Sequence, residues 1–288
     1  MSNVTQIRPK YRSIRQSTLG DMDICQRRAQ YNVAGWMPRT SSEAAVIGTG
    51  YHAGLEAYYL DRIVDPAIDR PTGEMIQCYI EAAHQGLDEE LRKLTGFEWD
   101  TTEAEARALM ARMVATYFEG CPGDQGGYQW PNTFTVLAVE HTFEHEFQPG
   151  WTASGTVDLV LQRQTDGFLI LDDHKTSGKM WSERKADPRE NNQAAWYALW
   201  VQEDFPDHPG LESWFSVMRR DSGKFRRFKS EIRQAHLDAV VDKATSVAGL
   251  LDSGFDLPPN QTSNLCSSKY CDAWTLCPWG SALAQAAA

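Results

Sequence analysis

The spacing of hydrophobic residues changes period along the chain. Residues 17–33, 41–63, 72–95 and 101–119 have helical periodicity or helix-favouring composition, and the last opens at Thr101-Thr-Glu-Ala with a capping-box-like pattern. Short apolar runs then predict a three-stranded meander over 133–147, 151–163 and 167–175. The second and third runs, GTVDLVL and FLILDD, are rich in Val, Ile and Leu and are separated by the polar turn Gln164-Thr-Asp-Gly167. A helix over 187–203, a hairpin over 211–229 and a long amphipathic helix over 231–253 follow, and Pro258-Pro259 ends the last. The region 256–280 reads as irregular or as short helices, and the tail SALAQAAA as a frayed helix or a disordered end. This order fits an α/β fold in which a mixed sheet is flanked by helices.

The candidate chemistry sits on the meander. Asp158 lies on its second strand and Asp173 closes the third, followed by His174 and Lys175. Side chains alternate across a strand, so Asp173 and Lys175 point to one face with roughly 6–7 Å between their Cα atoms. Two aspartates suit a hard divalent cation such as Mg²⁺ or Mn²⁺, which takes carboxylate oxygens and leaves room for waters and substrate phosphate. Such a cation polarises the phosphate and lowers the pKa of a bound water. Lys175 would stabilise developing charge as an ammonium or help position the nucleophile as an amine, and the sequence does not choose. A D-x-K triplet at a strand end is also met as a solvated ion pair worth under about 1 kcal/mol. Here Asp172 and Asp173 are poor strand formers closing an apolar strand, a local inconsistency expected at functional sites.

Several separated segments resemble one family. Gly155-x-x-Asp158, the stretch ILDDHKTS from Ile170 to Ser177, and Gln193-Ala-Ala-Trp-Tyr197 resemble the nuclease domain of the RecB-like branch of the PD-(D/E)XK superfamily. Ser17-x-Leu19 with Cys25-x-x-Arg28-x-x-Tyr31 resembles the opening helix of its iron–sulfur members, which include AddB-type nucleases and CRISPR-associated or phage-encoded RecB-like exonucleases. Gly48-Thr-Gly-Tyr-His52-Ala-Gly-Leu-Glu56 resembles the family's G-x-x-x-H-x-x-x-E helix.

The resemblance implies a restriction-endonuclease-like mixed sheet and a metal-dependent deoxyribonuclease, an exonuclease acting on DNA ends or single strands. It implies His52 as a further metal ligand beside Asp158 and Asp173, with the backbone carbonyl of His174 completing the shell. It also implies a glutamate on the preceding strand: Glu140 in LAVEHTF fits best, with Glu144 and Glu146 as rivals. Gln193 and Tyr197 would sit beside the catalytic face. They lie one helical turn apart, and core packing for Tyr197 or an exposed amide for Gln193 accounts for the spacing equally well. The implied organisation is an N-terminal helical lobe over 1–130 carrying Cys25 and His52, a nuclease core over 131–255 and a cluster-binding segment with tail over 256–288.

Cys266, Cys271 and Cys277 fall within twelve residues, and the resemblance pairs such a triplet with the N-terminal Cys25. Four thiolates bind a 4Fe-4S cluster or Zn²⁺, and spacing does not separate the two; the resemblance favours iron–sulfur. Joining Cys25 to the C-terminal triplet would clip the chain ends together, worth about 4–5 kcal/mol of loop-closure entropy on a simple chain model. Two departures stand out: four residues separate Cys266 from Cys271 where the pattern has two, and Gln26 replaces a common proline. Cys78 and Cys121, on apolar helical faces, read as buried small hydrophobes.

At 288 residues and 42% hydrophobic content the chain can bury a large core. No window reaches the roughly 18 apolar residues of a membrane span, and the N-terminus lacks a long apolar segment, so a soluble cytoplasmic protein is expected. A net charge of −11 argues against extensive nonspecific DNA binding. Local charge differs: Arg219, Arg220, Lys224, Arg226, Arg227 and Lys229 cluster on the 211–229 hairpin, and Lys179, Arg184, Lys185 and Arg189 follow the catalytic strand. These would line a DNA groove with Trp181, Phe225 or Phe228 available to stack on bases, or form a solvated hairpin. Gly48-Thr-Gly50 with Gly54 is no phosphate loop, because no G-K-[ST] follows. Two other classes stay open: a catalytically silent DNA-binding or assembly protein, partnered in recombination or CRISPR adaptation, and a zinc-stapled protein with no DNA role.

Overall fold

The computed structural model describes residues 9–37, 41–68, 71–119 and 134–287, with side chains as far as residue 282. Its elements, in order, are β1 (Ser13–Ile14), α1 (Gln16–Ile24), α2 (Gln26–Val33), α3 (Glu43–Val64), α4 (Gly73–Lys93), α5 (Glu103–Glu119), β2 (Phe134–Gln148), β3 (Trp151–Arg163), β4 (Leu169–Ser177), α6 (Glu183–Ala186), α7 (Asn192–Asp204), β5 (Leu211–Arg219), β6 (Phe225–Glu231), α8 (Gln234–Asp252) and α9 (Pro278–Ala287). The strands make a six-stranded mixed sheet in the order β1-β3-β4-β5-β6, with β2 paired to β3. Two compact units result, one from Met1–Arg39, Phe143–Gly155 and Ala235–Ala288, the other from Thr40–Thr142 and Thr156–Gln234.

In the larger unit β4 is central, antiparallel to β3 and parallel to β5, and β5 turns back into β6. The β3–β4 turn closes through Gly167, whose φ of 77° is readily adopted by glycine, and Asp166 accepts from the Phe168 amide. The α5 helix opens with a reciprocal cap, Thr102 N–H to Glu105 and Glu105 N–H to the Thr102 hydroxyl. The helices α3 and α4 approach closely: a Cβ on Gly50 would lie 2.8 Å from the Ala83 carbonyl, and one on Gly54 2.9 Å from that of Tyr79. These glycines serve helix packing. The core joins Tyr51, Leu55, Tyr58 and Tyr59 of α3 to Met110, Val114 and Tyr117 of α5 and to the sheet residues Leu159, Ile170 and Trp214.

The structure differs from the sequence expectation at several points in both units. The expected helix over 17–33 is two helices, broken at Cys25, which is extended (φ −161°, ψ 110°) and caps α2. β1, which has no signal in the hydrophobic pattern, pairs in parallel with Thr152 and Ala153 of β3. The expected helix over 187–203 starts only at Asn192, because Pro188 disfavours helix at Asp187 and leaves α6 as a short separate turn. Cys78 is exposed, since the buried stripe of α4 runs through Tyr79, Ala83 and Leu87. Cys121 lies outside the described residues.

Candidate metal centre and active site

β3 and β4 separate where the candidate chemistry begins. Their recorded register ends at Leu159↔Asp172, so Asp158 and Asp173 stand at the next position. The His174 amide turns to the Asp158 carboxylate, donating to Oδ2 at 2.7 Å. A side-chain carboxylate thus occupies the opening of the fork. In an extended strand the N–H and C=O of one residue lie on the same edge, which puts the His174 carbonyl on the Asp158 side as well.

Helix α3 brings His52 to this fork, with Nδ1 3.4 Å from Asp158 Oδ2. β2 brings Glu140, and ligand atoms of His52, Glu140 and Asp158 lie within 4.8 Å of one another. Among the described residues this is the one convergent trio of metal-ligand side chains. Glu140 has φ 47°, a left-handed conformation costing about 1–3 kcal/mol for a residue with a side chain. That distortion inside β2 accompanies its carboxylate's turn into the site. Glu144 and Glu146 are exposed, and Glu146 accepts from the Gly150 amide at 3.0 Å.

Asp173, 4% exposed, accepts from Gln193 Nε2 at 2.6 Å and meets Lys175 Nζ at 2.5 Å. Gln193 is buried at the start of α7, where the Asn191 side chain caps its amide. Tyr197, one turn on, is pushed up to about 12, by burial first and then by Asp173. The His174 ring packs among Tyr59 and Tyr117 on the opposite face, with Tyr117 Oη 3.4 Å from its Nε2.

The electrostatics fit a cation. Burial first, then neighbouring carboxylates, raise Asp173 to about 7 and Glu140 to about 8; burial also raises Asp158, to about 6. Burial and the Lys175 charge lower His52 to about 4, so its imidazole is neutral and available as a ligand at neutral pH. Burial works against the Lys175 ammonium, but Asp173 and Asp158 outweigh it and its pKa lies above the ordinary lysine value. The donor set is two or three carboxylates, one imidazole and a carbonyl, suited to Mg²⁺ or Mn²⁺.

A pH dependence follows. Without a cation, carboxyls with raised pKa values favour the folded state at low pH, and that contribution is lost as pH rises through about 6 to 8. A cation needs the deprotonated forms. Mg²⁺ affinity is therefore expected to rise across this range with release of protons, measured by calorimetry in buffers of different ionisation enthalpy. Affinity flat from pH 5.5 to 8.5 would contradict the assignment.

The cationic hairpin is only partly available. Successive strand residues alternate faces, so Arg226 and Arg227 cannot share one. Arg227, opposite Ser216, turns inward with its side chain 9% exposed and pairs with fully buried Asp172 at 3.1 Å. Ser216 donates to the other Asp172 oxygen at 2.6 Å and accepts from Arg227 Nε at 3.0 Å. Arg227 is thus a core residue, and Phe225 and Phe228 are buried too, so none of the three is presented to DNA. Arg219 pairs with Asp221 and Arg226 with Glu183. Among the described residues, no carboxylate pairs with Lys179, Arg220 or Lys224. The Asp172–Arg227 pair leaves no local signal in the sequence, because the acid and the base lie on separate strands, β4 and β6, far apart along the chain.

All four candidate cluster cysteines belong to the smaller unit. Cys25 Sγ accepts from the Asn260 amide at 3.4 Å, and Asn260 also donates to the Ile24 carbonyl at 2.9 Å. Gln30 bonds the backbone of Phe255 and Leu257, and Tyr31 that of Leu276, so the two chain ends are held by hydrogen bonds in any case. Burial raises Cys266, and the thiols of Cys25 and Cys277 add to it, so the sulfurs lie within one another's field.

No helix among the described residues is long and apolar enough to cross a membrane. No curated protein matches the sequence. Among solved structures the chain is similar to a "Putative exonuclease" from Eubacterium rectale, at 12% identity and a TM-score of 0.48, covering 89% of this chain and 87% of that one. It is also similar to SSO0001, at 11% identity and a TM-score of 0.38, covering 93% and 87%. A family model of the PD-(D/E)XK nuclease superfamily matches residues 14–278, nearly the whole chain, and the protein belongs to that superfamily.

Proposed function

We propose that this protein is a metal-dependent deoxyribonuclease that hydrolyses phosphodiester bonds, an exonuclease acting on DNA ends or single strands. The observation that carries this reading is the convergence of His52, Glu140 and Asp158 in the β3–β4 fork beside the Asp173–Lys175 pair. Asp158, Asp173 and His52, with Glu140 and the His174 carbonyl, would hold Mg²⁺ or Mn²⁺. When bound, the cation polarises the phosphate and acidifies a water. Gln193 acts through Asp173, fixing the rotamer of its carboxylate. Lys175 faces the phosphate as an ammonium and offsets the negative charge that builds on its oxygens in the transition state. A cavity of about 500 Å³ opens at the site, lined by His52, Glu140 and Lys175, by small residues such as Gly48 and Ala53, and by the charged Glu56, Glu89 and Lys93.

Cys25, Cys266, Cys271 and Cys277 in turn hold a 4Fe-4S cluster, as in the RecB-like iron–sulfur branch. Zinc at 2.3 Å from each sulfur would need the thiols about 3.8 Å apart. Iron–sulfur and zinc draw on the same four thiolates, so metal analysis decides between them.

Anaerobic purification with iron and zinc analysis, followed by digestion of end-labelled single- and double-stranded DNA with Mg²⁺, Mn²⁺ or chelator, tests both parts. Cation-dependent release of mononucleotides or short fragments from ends is expected, with iron and an absorption band near about 400 nm. A folded protein that cuts neither DNA with any cation would refute the nuclease, and stoichiometric zinc without iron would refute the cluster.

A further inference from the structure

A second cation stands beside the candidate reaction centre. In the parallel β4–β5 register Asp173 faces Phe215 and Lys175 faces Val217, so Phe215 shares the face of the candidate catalytic pair. The Trp181 ring packs on Phe215 at 5.3 Å between centroids. Lys185 Nζ lies over the Trp181 ring, 4.2 Å from its centroid. The short α6 helix that carries Lys185 is fixed in place: Asn191 Nδ2 donates to the Lys185 carbonyl at 3.2 Å, and Glu183 pairs with Arg226 of β6.

The neighbouring cations are engaged. Arg184 pairs with Glu190 at 3.1 Å and Arg189 with Asp187 at 2.5 Å. Among the described residues no carboxylate pairs with Lys185, and its ammonium rests on an aromatic face, a contact worth about 0.5–1 kcal/mol at an exposed site. Burial and then the charge of Lys175 lower its pKa. An ammonium held on an aromatic face, with no carboxylate among the described residues to offset its charge, suits an anion.

We propose that Lys185 and Trp181 form a nucleotide subsite for a single DNA strand, Lys185 binding the phosphate next to the scissile one and Trp181 stacking on the adjoining base. The ammonium leaves the indole face for the phosphate, and the base takes the place it vacates. This deepens the nuclease reading and rests on it.

The test is binding of a fluorescein-labelled single-stranded oligonucleotide to the full-length protein without added divalent cation, by anisotropy over a salt series, alongside steady-state cleavage with Mg²⁺. Lys185→Ala should weaken binding about tenfold and reduce the slope of log affinity against log salt by about 0.7, one phosphate contact. In cleavage it should raise KM with kcat within about twofold. Lys185→Arg should restore the slope, and Trp181→Ala should lose affinity with the slope unchanged, whereas Trp181→Phe keeps most of it. Arg233→Ala, which removes one exposed charge paired with Glu231 at 3.2 Å, is the charge-matched control and should leave the slope unchanged. An unaltered slope and KM in Lys185→Ala, from a preparation that cuts DNA, would overturn the subsite and leave the nuclease standing. A wild type that neither binds nor cuts DNA would overturn both.

Discussion

Asp173→Asn is expected to lower the rate of phosphodiester cleavage by about a thousandfold or more while the fold persists. Asparagine keeps the volume of Asp173 and an oxygen for Gln193 Nε2, which now donates at 2.6 Å, but it removes the charge that would hold the cation. Lewis-acid stabilisation is worth several kcal/mol of barrier, and about 4 kcal/mol corresponds to about a thousandfold. The fold depends little on this charge, because burial and Asp158 hold the carboxyl at about 7 despite Lys175, and the part-exposed Lys175 ammonium keeps Asp158 as a counter-charge. Thermal melting with chelator should therefore coincide for variant and wild type within a few degrees. With Mg²⁺ the wild type should gain stability by mass action and the variant should gain far less. Gln193→Ala, which leaves the carboxylate and removes its support, should fall between, about 10–100-fold down in activity or metal affinity. Cleavage by Asp173→Asn at the wild-type rate would remove Asp173 from the reaction centre.

Arg227→Ala should destabilise the protein by about 3–5 kcal/mol, because it strands Asp172 as a buried carboxylate without its counter-charge. For a chain of this length that amounts to a fall on the order of 10 °C in Tm. Arg226→Ala, one residue away on the opposite face and paired with exposed Glu183, should change stability by less than about 0.5 kcal/mol. The double variant Asp172→Leu/Arg227→Met, which replaces the pair with apolar side chains of similar size, should recover most of the loss. If Arg227 instead gripped DNA from the surface, its removal would leave Tm unchanged and reduce the salt dependence of binding. Chemical denaturation of the three variants, with melting by circular dichroism, separates the two pictures.

The hydrophobic pattern carried most of the elements. The meander lies at 134–148, 151–163 and 169–177 against an expected 133–147, 151–163 and 167–175, because alternation and turn chemistry are local properties of the chain. The interruption at Cys25 was not legible, since no proline or glycine marks it and the residues on either side read as helix formers. The start of α7 at Asn192, later than the pattern alone predicts, has a local reason, the effect of Pro188 on Asp187. Around the site, the motif positions Asp158, Asp173, Lys175, His52 and Gln193 stood out in the sequence, and the fold sets His52 against Asp158 and both Lys175 and Gln193 against Asp173. Glu140 could be ranked over Glu144 and Glu146 only through resemblance, because its φ of 47° breaks the alternation that assigns a strand residue to a face.

The basic hairpin marks the limit of such reading. Six cations in a dozen residues suggested a single charged surface, but the strand alternates, so Arg227 enters the core and Arg226 stays outside. The amino-acid order by itself determined most of the elements, the superfamily and which acids and amine are available, since each depends on neighbours in sequence. Tertiary structure decided which groups meet: the fork that lets a carboxylate take the His174 amide, the Asp172–Arg227 pair, and the Trp181–Lys185 contact beside Phe215. Those depend on strand register and on which helix covers which face, and both are set by packing between segments far apart along the chain.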